Sequence, residues 1–186
     1  MKSILISIRP EEVKKILNGE KLIETRKTAP KCELPCKVYI YCTNGYMLYD
    51  IRNEDYPEVE RKCTLDYTRK SNKYLSGTPP MLNRKVVAYF TLNKIEKYIF
   101  GNKVRYVWYI EDLKVYDKPK ELSEFGFLCK DYIPFYMNGC DEICGYYENG
   151  ECKNGYIPLR KPPQSWCYVE SLDQVKGENM VEKDGE

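Results

Sequence analysis

A lysine, a glutamate and an arginine stand close together in the stretch 18–27, where their charges can hold a polar ligand or one another. Gly19 follows a short helical run, and a positive φ costs glycine little at that position, so a turn and then a strand are predicted. Alternate residues of a strand share a face, which puts Glu24 and Arg26 on one side and Lys21 on the other. The pattern leaves open a ligand-binding face, a solvated strand edge and a buried Glu24–Arg26 pair.

Cysteines form the second candidate group. Three of them lie among glycines, with another eleven residues earlier, and the set is Cys129, Cys140, Cys144 and Cys152. Glycine turns let thiolates approach one zinc ion closely, so the four are predicted to bind one structural zinc. A second set has comparable spacing: Cys32, Cys36, Cys42 and Cys63. The alternative for both sets is buried free thiols that pack as small apolar side chains.

Composition excludes several kinds of site. The chain has no histidine, which removes Ser-His-Asp and Cys-His catalysis and every His-ligated metal site. No apolar run is long enough to span a membrane, and the N-terminus is typical of a first strand rather than a signal peptide, so a cytoplasmic location is expected. Residues 1–170 hold 28 basic and 23 acidic residues, a net charge of +5, and residues 171–186 form an acidic tail predicted to be disordered.

The elements that must position these residues follow from the pattern. A first strand is predicted at 3–8, and Pro10 then starts a helix whose apolar stripe is Val13, Ile16 and Leu17. Further strands are predicted at 37–42, 84–95, 104–116 and 165–170, with one helical turn within 120–125. Residues 43–83 are expected to be an insertion with short elements of its own, and 126–156 a cysteine-rich region. This order predicts an α+β domain, a small mixed β-barrel with one N-terminal helix and irregular insertions.

Two motifs carry a family resemblance. Gly19-x-Lys21-x-x-Glu24-x-Arg26, after Ser-Ile-Arg-Pro and one helix, resembles the signature of the ASCH domain, a relative of the PUA domain. Near the other end, the stretch from Pro162 to Val169 is similar to the closing strand of small bacterial and phage-encoded ASCH proteins. The resemblance covers residues 1–170 and implies a PUA-like barrel.

The resemblance also implies a function. Barrels of this superfamily hold a nucleotide or a few bases in a cleft beside the helix–strand motif, so an RNA or nucleotide-like ligand is expected here. Lys21 and Arg26 would then meet a phosphate or base edge, and Glu24 would hold the arginine or accept from a base amino group. The remaining residues expected to bind the ligand are Lys27, Gln164, Ser165 and Trp166. Trp166 and Tyr168 are candidates for base stacking, whereas core packing is favoured for Trp108.

Two other functions stay open. Small ASCH proteins related to an acetylcytidine amidohydrolase use the motif lysine, a threonine three residues later and a glutamate from a mid-barrel strand. Lys21 matches, but Glu24 stands at the threonine position and the strand 86–92 has no carboxylate. In an enzyme acting on a modified nucleoside, Lys21 and Glu24 would be the catalytic residues. The third possibility is a protein-interaction module built on the zinc site.

Overall fold

The computed structural model describes residues 3–51, 62–66, 81–128, 147–148, 151–152 and 156–171. The helix α1 spans Pro10–Leu17. The strands of the described residues are β1 (Ser3–Ile8), β2 (Ile23–Arg26), β3 (Cys36–Cys42), β4 (Met47–Ile51), β5 (Lys62–Asp66), β6 (Val86–Leu92), β7 (Ile95–Phe100), β8 (Lys103–Tyr109), β9 (Glu111–Lys120), β10 (Phe125–Leu128), β11 (Tyr147–Glu148), β12 (Glu151–Cys152), β13 (Tyr156–Pro158) and β14 (Trp166–Ser171). No helix in these ranges is long and apolar enough to cross a membrane.

The largest sheet has seven strands in the order β13-β10-β14-β1-β3-β6-β9. Three smaller sheets are β2-β8-β7, β4-β5 and β11-β12. The α+β class is confirmed, but a closed barrel is not formed by the described strands. The seven-stranded sheet is open, with β13 and β9 at its edges, and β2 pairs with β8 in a separate sheet.

The core lies where α1 covers the centre of the large sheet. Every residue of β1 is buried, and β1 pairs parallel with β3 and antiparallel with β14. The predicted helix stripe is confirmed, since Val13, Ile16 and Leu17 are all buried against the same core cluster. A strand buried on both faces is expected to be continuously apolar. Ser3 and Ser7 are the exceptions in β1, and Ser7 lies at the candidate site.

Two strands begin or end at other residues than the sequence predicts. The strand expected at 104–116 is broken at Ile110, whose backbone N–H donates to the Leu22 carbonyl, and Asp112 takes a positive φ of 48°. β9 then continues through Pro119, where a strand end was predicted, to Lys120. A proline is tolerated there because β9 is an edge strand. The strand expected at 84–95 is shorter, and β7 begins separately at Ile95.

The helical turn predicted within 120–125 is present at Leu122–Glu124. In the predicted insertion, β4 and β5 pair antiparallel. Most of the rest of 43–83, most of 126–156 and the tail from 172 lie outside the described residues.

Candidate functional site

The helix end sets the position of the charged motif. Gly19 has a φ of +73°, as the sequence predicts, and the backbone N–H groups of Glu20 and Lys21 both donate to the Lys15 carbonyl. This turn closes α1 and brings Lys21 back beside the helix. Glycine adopts such a conformation without the steric cost that a Cβ atom brings. β2 then starts at Ile23, so Lys21 precedes the strand and is not bound by its alternation.

Lys21 joins two carboxylates. Its Nζ lies 2.7 Å from Glu12 Oε2 and 2.6 Å from Glu24 Oε2. Glu12 sits in the first turn of α1, where a negative charge complements the helix dipole, and its other oxygen accepts from Lys15 at 2.8 Å. The prediction that Lys21 faces away from Glu24 is therefore wrong, because the turn at Gly19 redirects the chain.

Glu24 and Arg26 form a buried ion pair. Glu24 is only 7% exposed, and its Oε1 lies 3.1 Å from Arg26 Nη2. Arg26 Nη2 also donates to the Ser7 carbonyl at 2.9 Å, and Nη1 donates to Ser165 Oγ at 3.4 Å. Arg26 thus joins β2 to β1 and to the segment before β14. The low exposure of both side chains argues against a solvated strand edge.

Charge states follow from these contacts. Burial alone would lower the pKa of Lys21, but hydrogen bonds to Glu12 and Glu24 outweigh it, so its pKa lies above the ordinary value. Hydrogen bonds from Lys15 and Lys21 lower the pKa of Glu12. Burial lowers the pKa of Arg26, and the charge of Glu24 opposes that effect. These contacts therefore favour the charged form of Lys21.

A cleft of about 520 Å³ opens above the Glu24–Arg26 pair. It mixes charged, hydroxyl and amide groups with a proline wall, and its lining residues are Ser7, Ile8, Arg9, Glu12, Glu24, Arg26, Thr43, Pro162, Pro163 and Gln164. The Ser7 hydroxyl donates to the Pro163 carbonyl at 2.7 Å, and the Ser7 N–H donates to the Ser165 carbonyl at 2.9 Å. These bonds fix the proline segment as one side of the cleft.

The two sequence motifs therefore meet at one place, although about 140 residues separate them. Of the residues expected to bind a ligand, Glu24, Arg26 and Gln164 line the cleft, whereas Lys21 and Ser165 contact that lining. Lys27 is exposed and lies outside the cleft lining. Seven lining residues were not among the expected ligand-binding residues: Ser7, Ile8, Arg9, Glu12, Thr43, Pro162 and Pro163. A polar residue inside the otherwise apolar run 4–8 is the available signal for Ser7.

The aromatic residues pack against one another. Trp108 is fully buried and directly opposite Glu24 on the neighbouring strand, so the core interpretation is confirmed. Trp166 is half-buried, packs edge-on against Trp108 and Tyr168, and donates its indole N–H to Thr28 Oγ1 at 3.0 Å. Because Trp166 is held on several sides and lies outside the cleft lining, its position favours support of the cleft over base stacking.

The structure describes the second cysteine set but not the first, so only the second can be compared with its prediction. In the second set, the Cys32 and Cys36 sulfurs lie 3.3 Å apart, and burial with the Cys32 hydrogen bond raises the pKa of Cys36 to about 12. Burial also raises the pKa of Cys42. No group of three or more metal-ligating side chains occurs within the described ranges. Cys129, Cys140 and Cys144 and the side chain of Cys152 lie outside the described part of the chain, so the zinc site stays a prediction.

Among solved structures, the chain is similar to the crystal structure of ASCH from Zymomonas mobilis, with 14% identity over 98% of this chain and 95% of that one, and a TM-score of 0.45. The likeness is to an ASCH protein. A tyrosine-to-phenylalanine mutant and a serine-to-alanine mutant of that protein each give 13% identity and a TM-score of 0.45, covering 98% and 97% of this chain and 99% and 95% of theirs. No protein-family model and no curated protein matches the chain.

Proposed function

We propose that the chain is an ASCH-type binding module that holds an RNA base or a nucleotide-like ligand in the cleft above Glu24 and Arg26. The observation that supports this most is the cleft itself, in which both sequence motifs contribute to one polar floor. A volume of about 520 Å³ falls in the range of sites for small organic ligands.

The groups around the cleft match the parts of a nucleotide. Pro162 and Pro163 offer a flat apolar wall for a base, and the Gln164 amide can donate to and accept from a base edge. Arg9, exposed at the start of α1, supplies a cation for a phosphate. Arg26 is less suited to that role, because its terminal nitrogens already bind Glu24, Ser7 and Ser165. We therefore assign ligand contact mainly to Arg9 and Gln164, and support of the floor to the Lys21–Glu24–Arg26 group.

The test uses exposed lining residues, whose replacement leaves the buried ion pair intact. Arg9→Ala and Gln164→Ala should each weaken binding of ribonucleoside 5′-monophosphates about tenfold, the usual cost of one charge-assisted or base-edge contact. Isothermal titration calorimetry with the four monophosphates measures this.

Arg160→Ala is the matched control, because Arg160 is exposed and lies outside the cleft lining. It should bind like the unmodified protein. If none of the four monophosphates binds the unmodified protein, or if the two cleft variants bind as well as the control, the proposal is wrong.

A second candidate is hydrolysis of an acylated nucleoside such as acetylcytidine. The observation in its favour is Glu12, a second carboxylate against Lys21. The raised pKa of Lys21 argues against it, since a general base or amine nucleophile must be unprotonated. We expect no cytidine from acetylcytidine at neutral pH by chromatography. Cytidine release that Lys21→Met abolishes would replace the binding proposal with this one.

A further inference from the structure

Two thiols lie side by side at the start of β3, outside the lining of the cleft. The Sγ atoms of Cys32 and Cys36 are 3.3 Å apart, and the Cys32 thiol donates a hydrogen bond to Cys36. Two sulfurs joined in a disulfide are about 2.05 Å apart, so an approach on the order of 1 Å would join these two. The folded chain therefore holds the pair close to bonding distance.

The two cysteines differ in how firmly they are held. Cys36 begins β3, is 2% exposed and pairs with Leu92 on β6. Cys32 is half-buried in the preceding loop, and the three residues between the two cysteines, 33–35, are all exposed. Cysteines that sense oxidants are typically accessible to solvent and adjacent to a second, resolving cysteine. This arrangement makes Cys32 the accessible thiol and Cys36 the fixed one.

The charge state of Cys36 agrees with these roles. Burial and the hydrogen bond from Cys32 raise the pKa of Cys36 to about 12, so this thiol is protonated at neutral pH. Because the thiolate is the nucleophile, the first attack on an oxidant falls to Cys32.

Metal binding is the other chemistry open to adjacent thiols. A structural zinc ion takes four ligands. Within the part of the chain that the structure describes, the pair has no third Cys, Asp or Glu side chain placed to complete such a site. Two thiols without further ligands favour a bond between the sulfurs.

We propose that Cys32 and Cys36 form a reversible disulfide when the protein meets a two-electron oxidant of the peroxide class. The Cys32 sulfur attacks one oxygen of hydrogen peroxide and the O–O bond breaks. Cys32 becomes a sulfenic acid, and the leaving hydroxide takes up the proton that Cys32 lost. The Cys36 sulfur then attacks the Cys32 sulfur, the S–O bond breaks, and the oxygen departs as water with the Cys36 proton. In total, two thiols lose two hydrogen atoms and one peroxide becomes two water molecules.

The disulfide would tie β3 to a loop that already contacts β14. The Lys31 backbone N–H donates to the Tyr168 hydroxyl at 2.5 Å, and Thr28 accepts the indole N–H of Trp166. A half-exposed disulfide is also open to small thiols, which reduce it by exchange. Oxidation therefore adds a link between β3 and this loop that a thiol reductant removes.

Trypsin isolates this pair from the rest of the nine cysteines. Cleavage after Lys31 and Lys37 releases residues 32–37 as one peptide, which holds both thiols and no other cysteine. The folded protein is treated with hydrogen peroxide, alkylated with iodoacetamide, digested and analysed by mass spectrometry. Most of the peptide should become two hydrogens lighter and escape alkylation. Dithiothreitol added before alkylation should restore both thiols.

Two variants and one internal control separate the roles. Cys36→Ser should leave a sulfenic acid on Cys32 that dimedone traps, whereas Cys32→Ser should leave the buried Cys36 at least about tenfold less oxidised than in the unmodified protein. Cys167 is the control, because it is half-buried like Cys32 but is the sole cysteine of its tryptic peptide, 161–176. Burial raises the pKa of Cys167 to about 11, so this thiol should stay reduced at the same peroxide dose.

Three results would each overturn the proposal. The first is a peptide 32–37 that keeps both thiols at a dose that oxidises free cysteine, and the second is a peptide that gains oxygen without losing two hydrogens. The third is a pair that resists both peroxide and iodoacetamide until a chelator is added, which assigns the pair to a metal ion. None of these results bears on ligand binding in the cleft.

Discussion

At the scale of single residues, Glu24 is the centre of the site because two cations from different directions converge on it. Lys21 arrives from the turn after α1, and Arg26 from two residues further along β2. A buried carboxylate is costly unless it is paired, so each partner of Glu24 is needed to keep the cleft floor intact.

The buried pair predicts large effects on stability. Arg26→Ala leaves Glu24 without its closest guanidinium partner and should lower the free energy of unfolding by roughly 3–5 kcal/mol, the range for breaking a buried pair. Lys21→Ala should cost less, because Lys21 lies nearer the solvent and its loss leaves Arg26 in place. Urea unfolding followed by circular dichroism measures both.

The control for this prediction is Lys15→Ala, which removes an exposed partner of Glu12 and should change stability by less than about 1 kcal/mol. Equal, small effects of Arg26→Ala and Lys15→Ala would contradict the structural importance of the pair.

The raised pKa of Cys36 predicts that the stability of the fold depends on pH in the alkaline range. Its pKa rises from 9.0 to about 12 in the folded chain, so the thiol stabilises the fold fully below pH 9 and loses that contribution as the pH rises towards 12. The destabilisation caused by Cys36→Ala should therefore be largest at pH 8 and should shrink above pH 9. Urea midpoints at several pH values test this. Val38→Ala, a buried change on the same strand, should show a loss that does not vary in this way, and an unchanging loss for Cys36→Ala would contradict the prediction.

At the scale of elements, the cysteine-rich region predicts a bound metal. If Cys129, Cys140, Cys144 and Cys152 hold zinc, protein purified without chelator should contain about one zinc per chain by atomic emission. The double variant Cys140→Ser/Cys144→Ser should lose it, whereas Cys32→Ser/Cys36→Ser should retain it. No metal in the unmodified protein, with all nine thiols titrating freely, would contradict the site.

The first strand, the helix and its end at Gly19 could be predicted because each depends on local signals: an apolar run, a proline at the first turn and a glycine after the last. The sheet pairing could not. Nothing in the alternation of β2 indicates that Glu24 lies opposite Trp108, since that register depends on residues over 80 positions away. The contact of Lys21 with Glu12 escaped prediction for a related reason, because the turn geometry, not the strand pattern, sets the direction of Lys21.

At the scale of the whole molecule, β14 joins β10 and β13 to the rest of the large sheet, and the segment just before it lines the cleft. It lies between β1 and β10, its Val169 is buried, and the segment just before it supplies Gln164 to the cleft and Ser165 to Arg26. Its pairing extends to Ser171, opposite Phe125, one residue beyond the predicted end of the domain. The fold and the cleft thus depend on the chain as far as Ser171.

Removal of residues 172–186 should therefore leave the fold intact. This segment holds five acids and only Leu172, Val175, Met180 and Val181 as larger apolar residues, too few to offset the entropy of ordering it. The melting temperature should stay within about two degrees, since surface changes without packing are nearly neutral. Truncation before Trp166 is the contrasting variant, and it should prevent folding because β1 and β10 lose their shared partner. A drop of several times two degrees on removing 172–186 alone would show that the tail packs on the domain, and calorimetry of the two truncations decides between these outcomes.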